Sequence, residues 1–396
     1  MEILINNDEE RKMDTSSVGG RTGVSRPLQL VQGYDRLEVS LHLSIDDHSL
    51  FDDLAFWKKK CQTSFGDSIP FNFGNREFFS WNLKRKGNKL FTYILESGDI
   101  SLCLSDRSAD STIPNCKIEF GSVTCHSDLF KRYELILGWL RAYGLNLEKE
   151  IVSRVDLCLD FVGLHIGKTH VSNPDLWVTR ARKFNLYYQD WNLTGVMLGK
   201  GVIALRVYDK ALEIASNPTK ALFFYDLWNL SLPTAKKIPV TRVEFQFRRD
   251  VLKEFSSPVT TVQELRESVD SLWQYATTRW ARQADSPVDR KNRNQDKVNI
   301  SDFWQMVQGV VFNIPLLAGR RCKKNLHKNI ESLKAQARGC LLSIAAAAGH
   351  DPDDFFGIIA TVSDTITTEF SEFMTDRYSD FVKLFNVRAR ECYVGF

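Results

Sequence analysis

Three stretches of the chain carry acidic, basic and tyrosine side chains at the alternating spacing of a β-strand. They are residues 153–160 (SRVDLCLD), 204–210 (ALRVYDK) and 241–248 (TRVEFQFR). Successive strand side chains point to opposite faces of a sheet, and in each stretch the apolar residues fall on one side. If the three strands share a sheet, one face is core. The other face then carries the groups of a metal-dependent phosphodiester site.

Phosphodiester cleavage needs a nucleophile, a cation that neutralises the non-bridging oxygens, and stabilisation of the leaving oxygen. Hard cations take oxygen ligands, so carboxylates are the expected site for Mg²⁺ or Mn²⁺. The candidate metal ligands are Asp156, Asp160 and Glu244. Cationic side chains of the same strands would hold the phosphate oxygens. The candidates for this catalytic clamp are Arg206, Lys210 and Arg242.

Tyr208 is the candidate nucleophile. A tyrosine has a pKa of about 10, so nearby cations and a metal-bound phosphate must favour its phenolate. Tyr187 and Tyr188 are the alternative nucleophiles, because one of two adjacent strand residues must face the polar side. A phosphotyrosyl ester retains the energy of the broken bond, which favours nicking and rejoining over simple hydrolysis.

The order of strand and helix patterns predicts an α+β fold with three parts. Residues 1–28 are polar and lack periodicity, which predicts a flexible N-terminal tail. Residues 29–257 predict an antiparallel β-sheet with helices packed on one face, which would hold the nicking site. The similar strings KIEF at 117–120 and RVEF at 242–245 suggest two duplicated, RRM-like halves. Residues 258–396 have a mostly helical pattern and form the expected C-terminal domain.

Bulk composition limits the class of protein and its location. The net charge is only +3 over 396 residues, so any nucleic-acid surface must be a local patch. The chain has no apolar run of about 18 residues or more and no signal-peptide pattern, so we expect no membrane contact and a cytoplasmic location. The eight cysteines include no Cys-x-x-Cys, which favours reduced, buried thiols. The set Cys116, Cys125 and His126 does not have the usual spacing of zinc ligands.

Two basic segments are candidates for contact with DNA phosphates. One is a hairpin tip at 84–89, and the other is the polar segment 285–297. The residues concerned are Lys84, Arg85, Lys86, Arg290, Lys291 and Arg293. The alternative for the hairpin tip is that its charges only keep a turn soluble.

The three strand motifs, in this order, resemble the replication initiation factor family of rolling-circle initiators. That family serves plasmids, filamentous phages and genomic islands, and its relatives act as conjugative relaxases. The resemblance covers roughly residues 34–255. It implies an origin-specific nick, a 5′-phosphotyrosyl link at Tyr208, a divalent metal at Asp156, Asp160 and Glu244, and a host helicase. Origin DNA would be the partner in double- and single-stranded form, and a homodimer is left open. The His-hydrophobic-His metal motif of the wider relaxase class is absent from the sequence.

Other functions remain compatible with the same residues. The scaffold could serve a non-catalytic, sequence-specific DNA-binding protein, a conjugative relaxase, or a metal nuclease without a covalent step. In the plainest interpretation, Asp156 and Asp160 only pair with Arg154 and Arg242 on a solvated sheet face. Tyr208 would then be an ordinary strand aromatic packed across a neighbouring strand.

Overall fold

The structure is a computed structural model. It describes residues 28–64, 66–71, 79–289, 291, 295–312, 337, 341, 344–351 and 353–376. Almost all of the predicted N-terminal tail (residues 1–28) lies outside the described residues. Of the predicted DNA contacts, Arg290 and Arg293 also lie outside them.

Most strands of the described chain belong to one large antiparallel sheet. The strands are β1 (Gln29–Ile45), β2 (Ser68–Phe71), β3 (Trp81–Lys84), β4 (Tyr93–Ser97), β5 (Ile100–Leu104), β6 (Cys116–Phe120), β7 (Leu145–Val162), β8 (Trp177–Thr179), β9 (Phe184–Gln189), β10 (Asn192–Leu198), β11 (Ile203–Asp209), β12 (Val240–Arg248) and β13 (Ala281–Gln283). Eleven of them form the sheet β2-β3-β4-β5-β6-β1-β7-β12-β11-β10-β9, and β8 pairs with β13 separately. The long strands β1 and β7 lie at its centre and pair along most of their length.

Helices connect the strands and continue after the last of them. They are α1 (Ser49–Thr63), α2 (Ser122–Ser127), α3 (Leu129–Ala142), α4 (Lys210–Ala215), α5 (Pro218–Leu227), α6 (Arg249–Leu252), α7 (Val262–Tyr275), α8 (Asp302–Gln308), α9 (Phe355–Asp364) and α10 (Phe370–Asp376). The best-defined start is that of α7, where Thr261 and Glu264 form a reciprocal capping box. The predicted fold class, α+β with a large antiparallel sheet and a helical C-terminal region, is confirmed.

One face of the sheet forms the main core. The alternation of β7 sends Val155, Leu157 and Leu159 to this face, where all three are fully buried. Helices α1, α3 and α7 contribute their apolar stripes to the same cluster. Complete burial of one such side chain contributes roughly 1.5–3 kcal/mol, so this face contributes most of the stabilisation of the sheet. The opposite face is therefore free to carry polar groups.

The packing of α7 and α8 extends this core beyond residue 257. Trp273 of α7 packs edge-on against Phe245 of β12, with ring centroids 5.5 Å apart. The indole N–H of Trp273 donates to the carbonyl of Val307 in α8 at 2.9 Å. The chain divides into two compact units, Met1–Arg320 and Arg321–Phe396. The functional boundary placed near residue 257 by sequence stays a prediction, and the first helices after it pack with the sheet.

Strands β6 and β12 hold equivalent places on either side of the central pair. β6 lies next to β1, and β12 lies next to β7. Glu119 of β6 and Glu244 of β12, which share the repeated four-residue string, thus both face a central strand. This symmetry agrees with an internal duplication, which stays a prediction.

Candidate active site

The three sequence motifs lie in adjacent strands, in the order β7-β12-β11. Their registers place Asp160, Arg242 and Tyr208 in one cross-strand row. The next row along the strands contains Cys158, Glu244 and Arg206. Side chains directly opposite each other on neighbouring strands are about 4.5–5.5 Å apart at Cβ. The strands therefore bring these polar side chains together on the face opposite the main core.

Tyr208 and Glu244 form the central hydrogen bond of this face. The Tyr208 hydroxyl donates to Glu244 Oε2 at 2.8 Å. Arg206 Nη1 donates to the other oxygen of Glu244 at 2.6 Å, and its Nη2 donates to Gln246 Oε1 at 2.8 Å. Tyr208 and Arg206 are only half-buried, whereas Glu244 is buried. Parts of Tyr208 and Arg206 are thus exposed, while the Glu244 carboxylate stays out of solvent.

The environment of Glu244 raises the pKa of its carboxyl group. Burial is the largest cause, and the nearby negative charges of Asp35 and Asp156 add to it. Together they raise the pKa of Glu244 from 4.5 to about 7. Burial, followed by the charge of Glu244, also raises the pKa of the Tyr208 phenol well above its ordinary value. In this arrangement Tyr208 is a neutral phenol that is hydrogen-bonded to a potential base.

Lys210 places a cation behind the tyrosine. Its side chain is 1 % exposed, and its Nζ lies 3.5 Å from the Tyr208 hydroxyl. The same nitrogen lies 2.7 Å from Glu213 and 3.6 Å from Asp35. The ring of Phe224 in α5 lies 5.0 Å from it, within the range of a cation–π contact. Lys210 can therefore counter negative charge that develops on the tyrosine oxygen.

Asp160 is held in a closed ion pair. Arg242 donates to both of its oxygens, from Nε at 2.5 Å and from Nη2 at 2.7 Å. The indole of Trp228 also donates to Asp160 Oδ2 at 2.8 Å. Asp160 and Arg242 are both fully buried, and Arg242 also contacts Asp35. Arg242 and Asp160 thus form a buried ion pair, and their predicted roles in catalysis and metal binding stay predictions.

The three predicted metal ligands already hold cationic partners in this arrangement. Asp156 holds the guanidinium of Arg154 with both oxygens, at 2.9 and 2.5 Å. Asp160 holds Arg242, and Glu244 holds Arg206 and Tyr208. Within the described residues, these carboxylates do not form a group whose ligand atoms all lie within 4.8 Å of one another. Binding of Mg²⁺ or Mn²⁺ by these residues stays a prediction.

A different group of potential ligands lies beside this face. Asp35 of β1, His126 of α2 and Cys158 of β7 have ligand atoms within 4.8 Å of one another. The sequence placed Cys158 on the polar face but did not connect it with Asp35 or His126. Asp35 lies at an irregularity in the β1–β7 pairing, between Tyr34 and Arg36, where simple alternation fails. His126 comes from a short helix, whose place over the sheet has no signature in the sequence.

The alternative nucleophiles lie in the edge strand β9 and are about half exposed. Tyr187 pairs with Gly195 of β10, and Gly195 pairs with Tyr208. Tyr187 therefore shares the row of Tyr208, and its hydroxyl donates to the Met197 sulfur at 3.6 Å. By strand alternation Tyr188 points to the other face. The structure thus leaves Tyr208 as the tyrosine that is hydrogen-bonded to an acidic residue of the predicted site.

Two residues of the basic hairpin tip have partners within their own part of the sheet. Lys84 pairs with Glu96 at 2.7 Å, and Arg85 donates to the carbonyl of Gln62 at 2.6 Å. Lys86 and Lys291 are exposed. Leu90 and Phe91, which follow the tip, line a cavity together with Arg154 and Arg248. Contact of the tip with DNA stays a prediction.

Comparison with known proteins gives limited information about this chain. No family model matches it, and no curated protein matches it. A solved structure of a rolling circle replication initiator protein from Geobacillus stearothermophilus gives a TM-score of 0.35 at 12% identity, covering 73% of this chain and 100% of that chain. That similarity is too low to support an argument about function. Within the described residues, no helix has both the length and the apolar character needed to cross a bilayer.

Proposed function

We propose that this chain is a rolling-circle DNA replication initiator that nicks one strand of its origin with Tyr208 and later rejoins it. The observation that carries the proposal is the hydrogen bond from the Tyr208 hydroxyl to Glu244, flanked by Arg206 and Lys210. This arrangement combines a nucleophile, a base and two cations on one face of the sheet, where Tyr208 and Arg206 are partly exposed. Origin DNA, a host helicase and a bacterial cytoplasmic location belong to the same proposal.

The proposed cleavage step uses Glu244 as the general base. The Tyr208 oxygen attacks the phosphorus atom while its proton passes to Glu244 Oε2. The bond from phosphorus to the 3′ oxygen breaks, and the 3′ oxygen takes up a proton from solvent, while Glu244 returns its proton to solvent. The product is a 5′-phosphotyrosyl ester and a free 3′ hydroxyl. A base with a pKa of about 7 is well matched to neutral pH, since it is partly ionised and still accepts protons.

The cations provide the electrostatic part of the step. Arg206 is half-buried, so one side of its guanidinium can meet a non-bridging phosphate oxygen while the other holds Glu244 in place. Lys210 lies beside the attacking oxygen and lowers the cost of its developing negative charge. Rejoining is the reverse reaction, in which a 3′ hydroxyl attacks the phosphotyrosyl ester and Tyr208 takes its proton back. Tyrosine chemistry thus accounts for both initiation and termination.

The divalent metal expected by sequence enters this proposal as a requirement to be tested. Nicking should be compared with Mg²⁺, with Mn²⁺ and after chelation. Loss of activity on chelation would show that an ion takes part. It would not by itself assign the ion to Asp156, Asp160 and Glu244, whose oxygens also hold guanidinium and phenol groups.

The main competing function is a DNA-binding protein that does not cleave. We would clone fragments of the replicon that encodes the chain into a supercoiled plasmid and incubate them with the full-length protein. The proposal expects relaxed plasmid and a protein–DNA adduct that survives SDS. Tyr208→Phe should lose both products and keep binding, whereas Tyr188→Phe is the matched control that keeps them. Binding without cleavage in any fragment would support the competing function. Cleavage without an adduct would indicate a metal nuclease.

A further inference from the structure

Three ligand types from three separate elements meet beside the tyrosine site. Asp35 provides a carboxylate from β1, His126 an imidazole from α2 and Cys158 a thiol from β7. His126 Nε2 lies 3.5 Å from Cys158 Sγ. Carboxylate, imidazole and thiolate together are characteristic of sites for zinc and related transition metals, whereas Mg²⁺ takes oxygen ligands alone.

We propose that Asp35, His126 and Cys158 bind a transition-metal dication of the Zn²⁺ or Co²⁺ class. Three protein ligands leave a further coordination position for water or a ligand, as in catalytic rather than structural zinc sites. The proposal stands independently of DNA nicking, because it concerns the affinity of the chain for an ion. It also names a donor set different from the oxygen ligands that the sequence predicted.

Gly33 leaves room beside the backbone of β1 for the imidazole ring of His126. Gly33 of β1 pairs with Cys158 of β7 in the sheet register. A Cβ at position 33 would lie 2.6 Å from both Cε1 and Nδ1 of the His126 imidazole. Any other residue would force the ring away from Cys158. Glycine at this position therefore keeps the nitrogen and sulfur ligands close together.

The contacts of Asp35 leave one of its oxygens for an ion. Its carboxylate faces the cationic side chains of Arg242 and Lys210. Both cations contact Oδ1, and among the described residues no hydrogen bond to Oδ2 is recorded. Oδ2 is thus the oxygen that would meet the ion.

Cys158 would bind the ion as a thiolate, a soft ligand that favours transition metals over Mg²⁺. Its side chain is fully buried. A bound transition metal displaces the thiol proton outright, so metal and proton compete at this sulfur.

The ion would lie next to the proposed base. Cys158 is the direct cross-strand neighbour of Glu244. Asp35 contacts Lys210, which in turn approaches the Tyr208 hydroxyl. An ion at this place would therefore be within one strand of the Tyr208–Glu244 pair.

Cobalt titration tests the site without any DNA. The full chain, freed of metal, is titrated with Co²⁺ and its absorption spectrum is recorded. We expect one Co²⁺ per chain with a thiolate-to-cobalt charge-transfer band, which Zn²⁺ abolishes and excess Mg²⁺ does not. Cys158→Ser should lose the band. Cys103→Ser, which changes another buried thiol distant from the cluster, should keep it.

Two further variants distinguish loss of the metal site from loss of the fold. His126→Asn and Gly33→Ala should each weaken Co²⁺ binding at least tenfold, while circular dichroism shows an unchanged secondary structure. Absence of the band in the unaltered chain, or its persistence in Cys158→Ser, would overturn the proposal. A metal-binding chain that never nicks DNA would refute the proposed function and leave this site standing.

Discussion

Glu244→Gln tests the proposed base with the least change in shape. The substitution keeps the side-chain volume and a hydrogen-bond acceptor for Tyr208, and it removes the group that accepts the proton. General-base catalysis contributes about 10²–10⁴-fold, so the nicking rate should fall by that factor. Glu267→Gln, an exposed change on α7, is the matched control and should leave the rate unchanged.

The pH dependence of the nicking rate is a second, independent test of Glu244 as the base. With the pKa of Glu244 raised to about 7, only the ionised form accepts the proton, so the rate should rise with pH through that value. At pH 6 about a tenth of Glu244 is ionised, and at pH 5 about a hundredth. The rate should therefore fall to about a tenth and about a hundredth of its plateau value at these pH values. The residual rate of Glu244→Gln should lack this inflection.

The assay is single-turnover cleavage of an end-labelled, single-stranded oligonucleotide that contains the nick site. Enzyme is in excess, so product release does not limit the rate, and binding is measured separately by anisotropy. The reasoning would be refuted by a Glu244→Gln enzyme within about threefold of the unaltered rate, well short of the loss expected for a base. It would equally be refuted if that variant kept the inflection near pH 7.

Three other predictions concern stability and binding. Arg242→Met leaves Asp160 buried and unpaired, so denaturant unfolding should show a loss of about 3–5 kcal/mol, against little change for the exposed control Lys253→Met. Because folding raises the pKa of Glu244 from 4.5 to about 7, its contribution to stability is complete below pH 4.5 and is lost as the pH rises to about 7. The stability difference between Glu244→Gln and the unaltered chain should therefore grow in favour of the variant over that interval, and a constant difference would contradict the shift. DNA binding should weaken steeply with salt because phosphate contacts release counterions, and a log–log slope near zero would contradict them.

The alternation of polar and apolar residues along the strands allowed much of this site to be predicted from the sequence. Polar residues at every second position in three stretches placed Tyr208, Glu244 and Arg206 on one face, and those three are in contact. Such a pattern works because a strand buried on one face must keep its apolar residues in phase. The same pattern identified the sheet and the α+β class.

The sequence did not reveal which residue each charged side chain contacts. Asp160 and Arg242 looked like site groups, but Trp228, from the segment that follows α5, closes over them and completes a buried pair. Asp35 was missed because it lies at an irregularity in strand pairing, and His126 because its helix is placed by tertiary packing. Such contacts depend on residues far apart in the chain, which periodicity does not reveal.

Mass spectrometry of the peptide that retains an oligonucleotide after cleavage tests the central claim most directly. Nicked DNA trapped on the full chain is digested with nuclease and protease, and the modified residue is assigned by fragmentation. Our account predicts a 5′-phosphotyrosyl nucleotide on Tyr208. A nucleotide on Tyr187 or Tyr188, or cleaved DNA with no modified tyrosine, would contradict it.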